Sequence, residues 1–306
     1  MGVNYLSNIL ILGSTGMLGR MVSLVFSEYS DDNLFFTSRS ENKFNNELNG
    51  EKIIFNPNND NFDDLCDKIN PNFVINCIGA IKPTITEKKE SINNAISINS
   101  FFPLKISKKS ADLSFNYIQI GTDCVFSGLE GGYIETSTTD ATDVYGKTKI
   151  VGEISSKNKT LLRSSIVGPE SGSGMSLLNW FLRTEEPEVN GFIDHEWNGV
   201  TTLNFAKIVL GITKNQQTGI KLQHLVPNDR VNKYELLILF QEYFSKGVKI
   251  NDVVSENKVD RTLETIDPLA NQELWKMGGY KEIPSIRENI SELAEFKGTK
   301  KILEFK

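Results

Sequence analysis

Cysteine and histidine are scarce in this chain of 306 residues. It has three cysteines, Cys66, Cys77 and Cys124, and two histidines, His195 and His224. An odd number of cysteines without paired metal spacing indicates free, reduced thiols rather than a disulfide framework. Neither histidine lies in a ligand-like cluster, so the sequence predicts no zinc or haem site and no bound metal.

Long hydrophobic runs and an excess of positive charge are also missing. The longest apolar run near the start, Ile9 to Leu12, is far too short to span a bilayer. No basic segment and cleavage site frame it as a signal peptide, so we expect a cytoplasmic protein without a membrane partner. The net charge is -6 and no long basic run occurs. Binding to nucleic acid, which needs clustered Lys and Arg, is therefore not expected.

The first half of the chain alternates short apolar runs with longer amphipathic stretches. This cadence of strand, helix and strand is typical of an α/β protein with a parallel sheet and helices on both of its faces. The predicted strands are Asn8–Leu12, Asn33–Thr37, Lys52–Phe55, Phe73–Cys77, Asn116–Ile120 and Thr160–Arg163, and the predicted helices are Met17–Tyr29, Asn61–Ile69, Ser91–Ala111 and Tyr145–Ser156.

The rhythm changes after about residue 165. The stretch SGSGMSLLNWFLR predicts a loop that leads into an amphipathic helix, and Val231–Phe244 predicts another helix. The segment Lys221–Val226 fits a late strand of the first sheet. We therefore predict one domain at residues 1–168, to which residues 190–226 return, and a smaller lobe at residues 169–306. Such a lobe would cover the carboxyl ends of the strands, where open α/β sheets bind ligands.

A glycine-rich loop follows the first predicted strand. The stretch ILILGSTGMLGR places Gly13, Gly16 and Gly19 directly after an apolar strand and at the start of a helix. Gly13 permits a tight turn, Gly16 lets the backbone approach a pyrophosphate, and Gly19 allows the helix to pack closely on the strand. The free N–H groups of the helix start favour an anion there. A purely structural turn is the alternative. The expected cofactor contacts are Gly13, Ser14, Thr15, Gly16, Met17 and Leu18.

The end of the second predicted strand indicates which dinucleotide is bound. An NAD-binding loop is followed, roughly twenty residues later, by an acidic residue that binds the ribose hydroxyls. Here the matching place holds Ser38, Arg39 and Ser40. A guanidinium attracts a 2′-phosphate that a carboxylate would repel. We therefore expect NADP(H), with NAD(H) as the second choice, while Arg39 as a plain surface residue is the competing interpretation.

The fourth predicted strand ends in the stretch NCIG. The small Gly79, just beyond a buried strand, suits a backbone that passes close to a cofactor, although a tight structural turn fits this motif nearly as well. We include this stretch among the expected cofactor contacts, which adds Asn76, Cys77, Ile78 and Gly79.

Three residues form a candidate proton-donating set. Tyr145 and Lys149 lie four positions apart in DVYGKTKIVGE, on one face of the predicted helix. Thr122 follows the fifth predicted strand in IQIGTDCVFSG and would present its hydroxyl to the same crevice. A free tyrosine has a pKa near ~10, and a nearby ammonium group lowers it. Tyr145 is then suited to give a proton to a carbonyl oxygen, an effect worth about 10²–10⁴ in rate. The alternative interpretation is that Tyr145 and Lys149 only form the solvent-exposed start of a helix.

These motifs resemble a known family. GSTGMLG, NCIG, GTDCVFSG and YGKTK occur in the order of the extended short-chain dehydrogenase/reductases. The closer resemblance, over roughly residues 8–245, is to the dTDP-4-dehydrorhamnose reductases and their relatives. These proteins carry a similar Thr-Asp-x-Val-Phe-x-Gly stretch, a Tyr-x-Glu loop (here Tyr133 to Glu135), and then Tyr-Gly-x-x-Lys. The stretch WNGVTTLNFAKIV also looks like the family's step from strand to helix.

The resemblance implies a Rossmann-type doubly wound parallel sheet with a smaller α/β substrate-binding lobe. It also implies NADPH-dependent reduction of the C4 keto group of a nucleotide-activated 6-deoxy-4-hexulose, in deoxysugar or surface-polysaccharide biosynthesis. On this interpretation Thr122, Tyr145 and Lys149 are the catalytic residues. The cofactor contacts include Tyr145, Lys149 and Asn99. Asn99 matches a family asparagine on the helix behind the active site that orders water or helix backbone, and a polar residue of the core is the competing interpretation. The expected substrate contacts are Thr122, Asp123, Cys124, Ile166 and Asn179.

Three departures from the family leave the sugar open, and three alternatives compete. Asn56 stands where an acidic residue often follows the third strand and contacts adenine. Cys124 stands where many members have tyrosine, and Ile166 replaces an aromatic residue that many place near the sugar. A 4,6-dehydratase needs a glutamate after Thr-Asp, where Cys124 cannot serve as the acid. A C4 epimerase retains NAD, which Arg39 disfavours. The third alternative is a non-catalytic NADP-binding subunit, like the regulatory subunit of methionine adenosyltransferase, although the complete catalytic set favours an enzyme. The oligomeric state stays open, a homodimer included.

Overall fold

The computed structural model describes residues 6–41, 48–172 and 174–304. Within these ranges the strands are β1 (Asn8–Leu12), β2 (Asn33–Ser38), β3 (Glu51–Ile54), β4 (Phe73–Asn76), β5 (Asn116–Gly121), β6 (Lys159–Arg163), β7 (Ile166–Val167), β8 (Glu188–Phe192), β9 (His195–Trp197), β10 (Val200–Thr201), β11 (Gln223–His224), β12 (Val231–Asn232), β13 (Lys249–Val253) and β14 (Val259–Asp260). The helices are α1 (Met17–Tyr29), α2 (Phe62–Ile69), α3 (Lys89–Ile96), α4 (Phe102–Leu113), α5 (Val144–Gly152), α6 (Leu177–Arg183), α7 (Thr202–Lys214), α8 (Lys233–Phe244), α9 (Pro268–Met277), α10 (Ile286–Glu295) and α11 (Lys297–Glu304).

Seven parallel strands form the large sheet, in the order β11-β6-β5-β4-β1-β2-β3. The direction of strand addition reverses at β1, where Ile9 lies between Leu34 of β2 and Phe73 of β4. A reversal of this kind opens a crevice beyond the carboxyl ends of the neighbouring strands. The predicted doubly wound α/β fold is confirmed, and the expected late strand is present as β11, which pairs with β6.

The first strand shows why both faces of this sheet are covered. Ile9 and Ile11 lie in the core that includes Val22 of α1 and residues of α7. Leu10 and Leu12 lie in the opposite core, with residues of α2 and α4. Alternate side chains of a strand point to opposite faces. A strand that is apolar at every position is therefore buried on both sides, as parallel sheets require.

The helix predicted over Ser91–Ala111 is interrupted. It consists of α3 and α4, joined by a π-helical segment at Ser97–Phe101. Pro103 lies in the first turn of α4, lacks an N–H group, and in a regular helix would collide with the carbonyl group four residues earlier. The wider π turn relieves this conflict, and it carries Asn99 at a point where the helix faces the candidate site.

Two further helix boundaries differ from the prediction. Helix α8 begins at Lys233 rather than Val231 because Asn232 caps it: the Asn232 side chain accepts a hydrogen bond from the Glu235 N–H at 2.9 Å, and the Glu235 carboxylate accepts one from the Asn232 N–H at 2.9 Å. Helix α5 ends at Gly152 rather than Ser156, since its last carbonyl oxygen accepts hydrogen bonds from the side chains of Gln119 and Lys159.

The second half of the chain supplies helices that pack on the large sheet's helix α1 and also forms small sheets of its own. Helix α7 packs against α1, and α11 also packs against α1, while α10 packs against α8. Three small sheets, β7–β10, β12–β9–β14 and β8–β13, occupy the rest of this half. The predicted helix after the loop is α6, and of that loop Ser173 lies outside the described residues. The domain boundary at residue 168 stays a prediction. None of the helices in the described ranges is both long and apolar enough to cross a membrane.

Candidate active site

The predicted site residues follow three strands that lie side by side. Leu12 of β1 is opposite Asn76 of β4, and Asn76 is opposite Gln119 of β5. The carboxyl ends of parallel strands meet at one edge of the sheet. The structure therefore brings together the glycine loop, the stretch NCIG and the turn that begins at Thr122.

The glycine loop is fixed to β2 by hydrogen bonds. Gly13 has a φ angle of +75°, which favours glycine, and its N–H donates to the Thr37 hydroxyl at 3.0 Å. The Ser14 N–H and hydroxyl both donate to the Thr37 carbonyl oxygen at 2.9 Å. A Cβ atom on Gly19 would collide with the carbonyl oxygen of Gly13 and with Cys77. The expected tight turn and the expected close helix packing are both present.

The amino terminus of α1 suits a pyrophosphate. Gly16 is its N-cap residue, and no side-chain hydrogen bond caps the helix there. Gly16 is exposed, and a Cβ atom built on it would meet only the carbonyl oxygen of Gly13, at 3.7 Å. The space above Gly16 is therefore open on the side of the uncapped N–H groups of Met17 and Leu18. Uncapped N–H groups with the positive end of the helix dipole attract an anion.

Arg39 lies at the end of β2 beside this loop. Its side chain is exposed, and the preceding Ser38 hydroxyl is 3.4 Å from the hydroxyl of Thr15. Ser38 also donates to the carbonyl oxygen of Ser40 at 3.0 Å, which fixes the turn that presents Arg39. This position fits the expected contact of a guanidinium with the 2′-phosphate of NADP.

Two buried asparagines hold the loop after β4. The Asn76 side chain accepts a hydrogen bond from the Ile78 N–H at 3.1 Å. The Asn99 side chain accepts one from the Ala80 N–H at 2.9 Å and donates to the Ala80 carbonyl oxygen at 3.0 Å and to the Thr148 hydroxyl at 3.1 Å. Both amide hydrogens of Asn99 are thus committed within the protein. The contacts show that Asn99 positions the loop and α5, whereas Gly79 is exposed beyond the strand.

Helix α5 begins against the turn that follows β5. Asp143 is its N-cap and accepts a hydrogen bond from the Gly146 N–H at 2.8 Å. A Cβ atom on Gly146 would collide with the carbonyl oxygen of Cys124, so glycine lets the helix approach the turn. As a result the Tyr145 phenol lies close enough to the Thr122 hydroxyl for the two groups to influence each other. The predicted meeting of these two groups, 23 residues apart in the chain, is what the structure has.

Tyr145 keeps its proton. Burial raises the pKa of its phenol well above the ordinary value, and the nearby carboxylates of Asp123 and Glu153 raise this pKa further. The neighbouring Thr122 hydroxyl acts in the opposite direction. The sequence predicts that the Lys149 ammonium lowers this pKa, but the net direction is upward because burial dominates. A protonated phenol is the form that can give a proton to a carbonyl oxygen.

Lys149 lies one turn further along α5 and is anchored to the sheet. Its ammonium donates a hydrogen bond to the carbonyl oxygen of Ile120 at 3.1 Å. Burial lowers the pKa of Lys149, and the carboxylate of Glu153 opposes that shift. Glu153 is buried and accepts a hydrogen bond from Arg163 at 2.6 Å. Tyr145, Lys149 and Glu153 therefore form one stripe along α5, of which the sequence reasoning found the first two residues.

A buried polar network continues from Glu153 to the late strand β11. Arg163 lies 2.8 Å from the Nε2 atom of His224, which must accept this hydrogen bond, so the ring proton lies on Nδ1 and is donated to the carbonyl oxygen of Glu264 at 2.8 Å. Glu135, in the Tyr-x-Glu loop, accepts a hydrogen bond from the His224 N–H at 2.8 Å. The hydrogen-bond partners of the His224 ring and N–H lie 40 to 91 residues away along the chain, so no local sequence pattern indicates the role of His224.

The remaining expected substrate contacts differ in their surroundings. Asp123 is half-buried and accepts a hydrogen bond from the Thr122 hydroxyl at 3.2 Å. Burial raises the pKa of the Cys124 thiol to about 12, so this thiol stays protonated. Ile166 is half-buried in β7. Asn179 is fully buried and accepts a hydrogen bond from the Glu170 N–H at 2.7 Å, so its amide holds the loop before α6.

The described residues contain no group of three or more His, Cys, Asp or Glu side chains placed to hold a metal ion. The donor set around Thr122 and Tyr145 is instead one of hydroxyl, phenol and ammonium groups. Together with the anion-binding helix start and the parallel sheet, this site defines the class of the protein. Its fold and its site are of the extended short-chain dehydrogenase/reductase type.

The family follows from the sequence as a whole. The chain belongs to the RmlD substrate-binding domain family, whose profile matches residues 7–295. The family expected from the motifs is thereby confirmed.

Two relatives point to different activities. Methionine adenosyltransferase 2 subunit beta of Xenopus tropicalis is 25% identical over 301 residues, which cover 92% of this chain and 86% of that protein. The dTDP-4-keto-6-deoxy-D-glucose reductase of Streptomyces niveus is 22% identical over 219 residues, which cover 69% of this chain and 70% of that protein.

A solved structure confirms the likeness of fold. The crystal structure of dTDP-4-dehydrorhamnose reductase from Bacillus anthracis, in complex with NADP, has a TM-score of 0.69 with 16% sequence identity. The superposition covers 94% of this chain and 99% of that one.

Proposed function

We propose that this protein uses NADPH to reduce the C4 keto group of a nucleotide-activated 6-deoxy-4-hexulose to a hydroxyl group. The observation that supports this most is the convergence of Tyr145, Thr122 and the anchored Lys149 ammonium at the carboxyl edge of the sheet, beside an uncapped helix start. The similarity to a dTDP-4-keto-6-deoxy-D-glucose reductase supports the substrate class.

The residues of the site have separate tasks in this reaction. Bound NADPH would supply the hydride that the carbonyl carbon receives. Tyr145, a half-buried phenol whose pKa is raised, keeps its proton and donates it to the carbonyl oxygen, so that the ketone becomes a hydroxyl. Thr122 donates a hydrogen bond to the same oxygen and fixes its position. Lys149, anchored on the Ile120 carbonyl, supplies positive charge beside the phenolate that forms.

The dinucleotide would be held by the loop and by Arg39. The backbone N–H groups at the start of α1 bind the pyrophosphate, and Arg39, exposed at the end of β2, pairs with the 2′-phosphate. The relative crystallised with NADP supports this choice, and NADH is the second choice.

The test is oxidation of NADPH in the presence of 4-keto sugars carried by dTDP, UDP or GDP, repeated with NADH. Tyr145→Phe should lower kcat by about 10²- to 10⁴-fold, because it removes the proton donor. Binding of NADPH and thermal stability should stay close to those of the wild type. Tyr243→Phe, at the far end of α8, is the control and should retain full activity. Unchanged turnover in Tyr145→Phe would refute the assigned acid.

A second candidate function is that of a partner-binding subunit without turnover. The observation that favours it is the similarity to methionine adenosyltransferase 2 subunit beta over 92% of the chain. The same panel separates the two: no NADPH oxidation with any sugar, combined with stable binding to a methionine adenosyltransferase, would support the subunit. Turnover that depends on Tyr145 would support the reductase.

A further inference from the structure

Lys233 is a cation whose hydrogen-bonding capacity is not used by the protein. It is the first residue of α8, is half-buried, and its ammonium lies 5.4 Å from the centre of the Trp197 ring. Within the residues that the structure describes, no carboxylate or carbonyl oxygen accepts a hydrogen bond from it. An ammonium has three donors, and an aromatic ring compensates only part of their lost hydration. An ammonium group without an oxygen acceptor, such as that of Lys233, therefore indicates a ligand-binding site.

A second cation lies close to Lys233. The Arg261 guanidinium donates hydrogen bonds from Nε to the Phe126 carbonyl oxygen at 2.9 Å and from Nη2 to the Ser127 carbonyl oxygen at 3.1 Å. It has no ion pair with any carboxylate of the described residues. Burial and the repulsion from Arg261 lower the pKa of Lys233 to about 8. Like charges that the fold holds together are a sign of a functional site.

The two cations border the turn that carries the candidate catalytic threonine. The Asp123 carboxylate of this turn acts electrostatically on both Lys233 and Tyr145. Strands β12 and β14, which lead into Lys233 and Arg261, both pair with β9, so the two cations follow neighbouring strands of one small sheet in the second half of the chain. Asp140 and Asp143 act on Arg261 as well, so Lys233 is the cation of this pair that keeps unused donors.

We propose that Lys233, with Arg261 beside it, binds the diphosphate of the nucleotide-sugar substrate. This inference rests on the proposed function, because it assumes a nucleotide sugar in the crevice. A diphosphate offers charged oxygens to an ammonium and a guanidinium at once, and such charge-assisted hydrogen bonds are the strong ones. A sugar carboxylate offers the same chemistry from another part of a substrate, and the experiment separates the two sources.

The experiment measures binding by calorimetry and needs no turnover. dTDP, UDP and the nucleosides thymidine and uridine are titrated into the wild type, Lys233→Met and Lys233→Arg. Lys233→Met should weaken the binding of dTDP or UDP by about 10- to 100-fold, the range for a lost hydrogen bond to a charged group. Lys233→Arg should retain most of the affinity, and nucleoside binding should not change. Thermal stability of Lys233→Met should equal or exceed that of the wild type, because an uncompensated cation is removed.

Lys207 provides the matched control. It also lies over an aromatic ring, 4.4 Å from the centre of Tyr280, but it forms an ion pair with Glu292 at 2.6 Å. Lys207→Met should lose stability and bind dTDP like the wild type. Wild-type affinity for dTDP and UDP in Lys233→Met would overturn the proposal. An equal loss for nucleosides and diphosphates, accompanied by lower stability, would also overturn it, because it would show a structural role.

Two further results separate this inference from its assumptions. If Lys233→Met weakens UDP-glucuronate binding and leaves UDP and UDP-glucose unaffected, the cation binds a sugar carboxylate and the diphosphate assignment is wrong. If dTDP or UDP binding depends on Lys233 but no 4-keto sugar is reduced, the diphosphate site stands and the reductase function fails. If the 4-keto sugar is reduced and Lys233→Met binds dTDP and UDP like the wild type, the reductase function stands and only the assignment of Lys233 fails.

Discussion

The two helix starts that build the candidate active site are made differently. At α1 the contacts are backbone contacts: Gly13 turns with a φ angle of +75°, and Gly19 packs directly on the Gly13 carbonyl group. At α5 the contacts are side-chain contacts: Asp143 caps the helix, and Tyr145 meets Thr122. One helix start depends on the absence of side chains and the other on their chemistry.

The difference extends behind the two helices. Helix α1 rests on the apolar core of the large sheet, with Met21, Val22 and Val25 fully buried. Behind α5, by contrast, the buried Glu153 is paired with Arg163, and its charge opposes the lowering of the pKa values of Lys149 and Lys159 by burial. We conclude that stability and binding depend mainly on side-chain size at the start of α1. At α5 they depend mainly on side-chain charge.

Removal of the Glu153 charge should have the largest effect. Glu153→Gln leaves Arg163 buried without its anion, and such an unpaired charge costs about 3–5 kcal/mol of unfolding free energy. Glu153→Gln combined with Arg163→Met removes both charges and should recover much of that loss, since neutral replacement of a whole buried pair is often tolerated. Urea denaturation at pH 7 measures both.

A solvent-exposed ion pair tests whether burial is the reason for the large effect at Glu153. Glu188 and Lys249 form an ion pair at 2.9 Å with both side chains more than half exposed, so Glu188→Gln should leave stability unchanged. If the double variant at Glu153 and Arg163 loses the sum of the two single losses, the pair is not coupled. Stability at α5 would then not depend mainly on side-chain charge.

The pH dependence of stability should reveal the same network. Burial and the neighbouring Arg163 lower the pKa of His224 to about 4. The unfolded chain binds a proton at this residue near pH ~6.5, so the unfolded state binds more protons between these two values. Stability contributed by neutral His224 is therefore complete above pH 6.5 and is lost as the pH falls toward 4, a change of about 3 kcal/mol.

The chain offers a clean control for this effect, because it has only two histidines. His224→Gln keeps an acceptor for Arg163 and a donor for the Glu264 carbonyl oxygen but does not titrate, so its stability should change less between pH 6.5 and 4.5. His195→Gln should keep the wild-type slope. Measurement of the urea midpoint across this range decides the question, and identical slopes for all three proteins would exclude His224 as the titrating group.

The same contrast explains what the sequence predicted. The strands, the glycine loop and α1 were predictable because their signals are local: an apolar run, then Gly13, Gly16 and Gly19 at fixed spacing, then a helix. Helix α1 has the predicted bounds, Met17–Tyr29. The grouping of Thr122, Tyr145 and Lys149 at one edge of the sheet was predictable, because two members share one helical turn and the third follows a strand. Their catalytic role stays a prediction.

The side-chain network was not predictable in the same way. Glu153 lies four residues after Lys149 and would have been found by following the helical stripe one turn further. Arg163 and His224 meet only because β6 and β11 pair, and Lys233 reaches the site only through the packing of the second half of the chain. The net rise in the pKa of Tyr145 depends on burial, which spacing alone does not give.

Two alanine substitutions at α1 test the other side of the comparison, with the smallest expected effects. Gly19→Ala places a Cβ atom against the Gly13 carbonyl group and Cys77, so the helix must shift, at a cost of about 1–3 kcal/mol in unfolding free energy. The sign is informative, because alanine in place of glycine inside a helix otherwise stabilises by about 0.5–1 kcal/mol.

Gly16→Ala is the matched variant, one turn earlier in the same stretch. Its φ angle of −76° suits alanine and the added methyl group meets open space, so unfolding free energy should change by less than about 1 kcal/mol. The methyl group would stand where a pyrophosphate approaches the helix, and NADPH affinity, measured by fluorescence titration, should fall about tenfold or more. Gly19→Ala should thus lose stability first, and Gly16→Ala should lose cofactor affinity alone. Unchanged NADPH binding by Gly16→Ala would mean that the open space at α1 does not receive the dinucleotide, and size would then matter there only for packing.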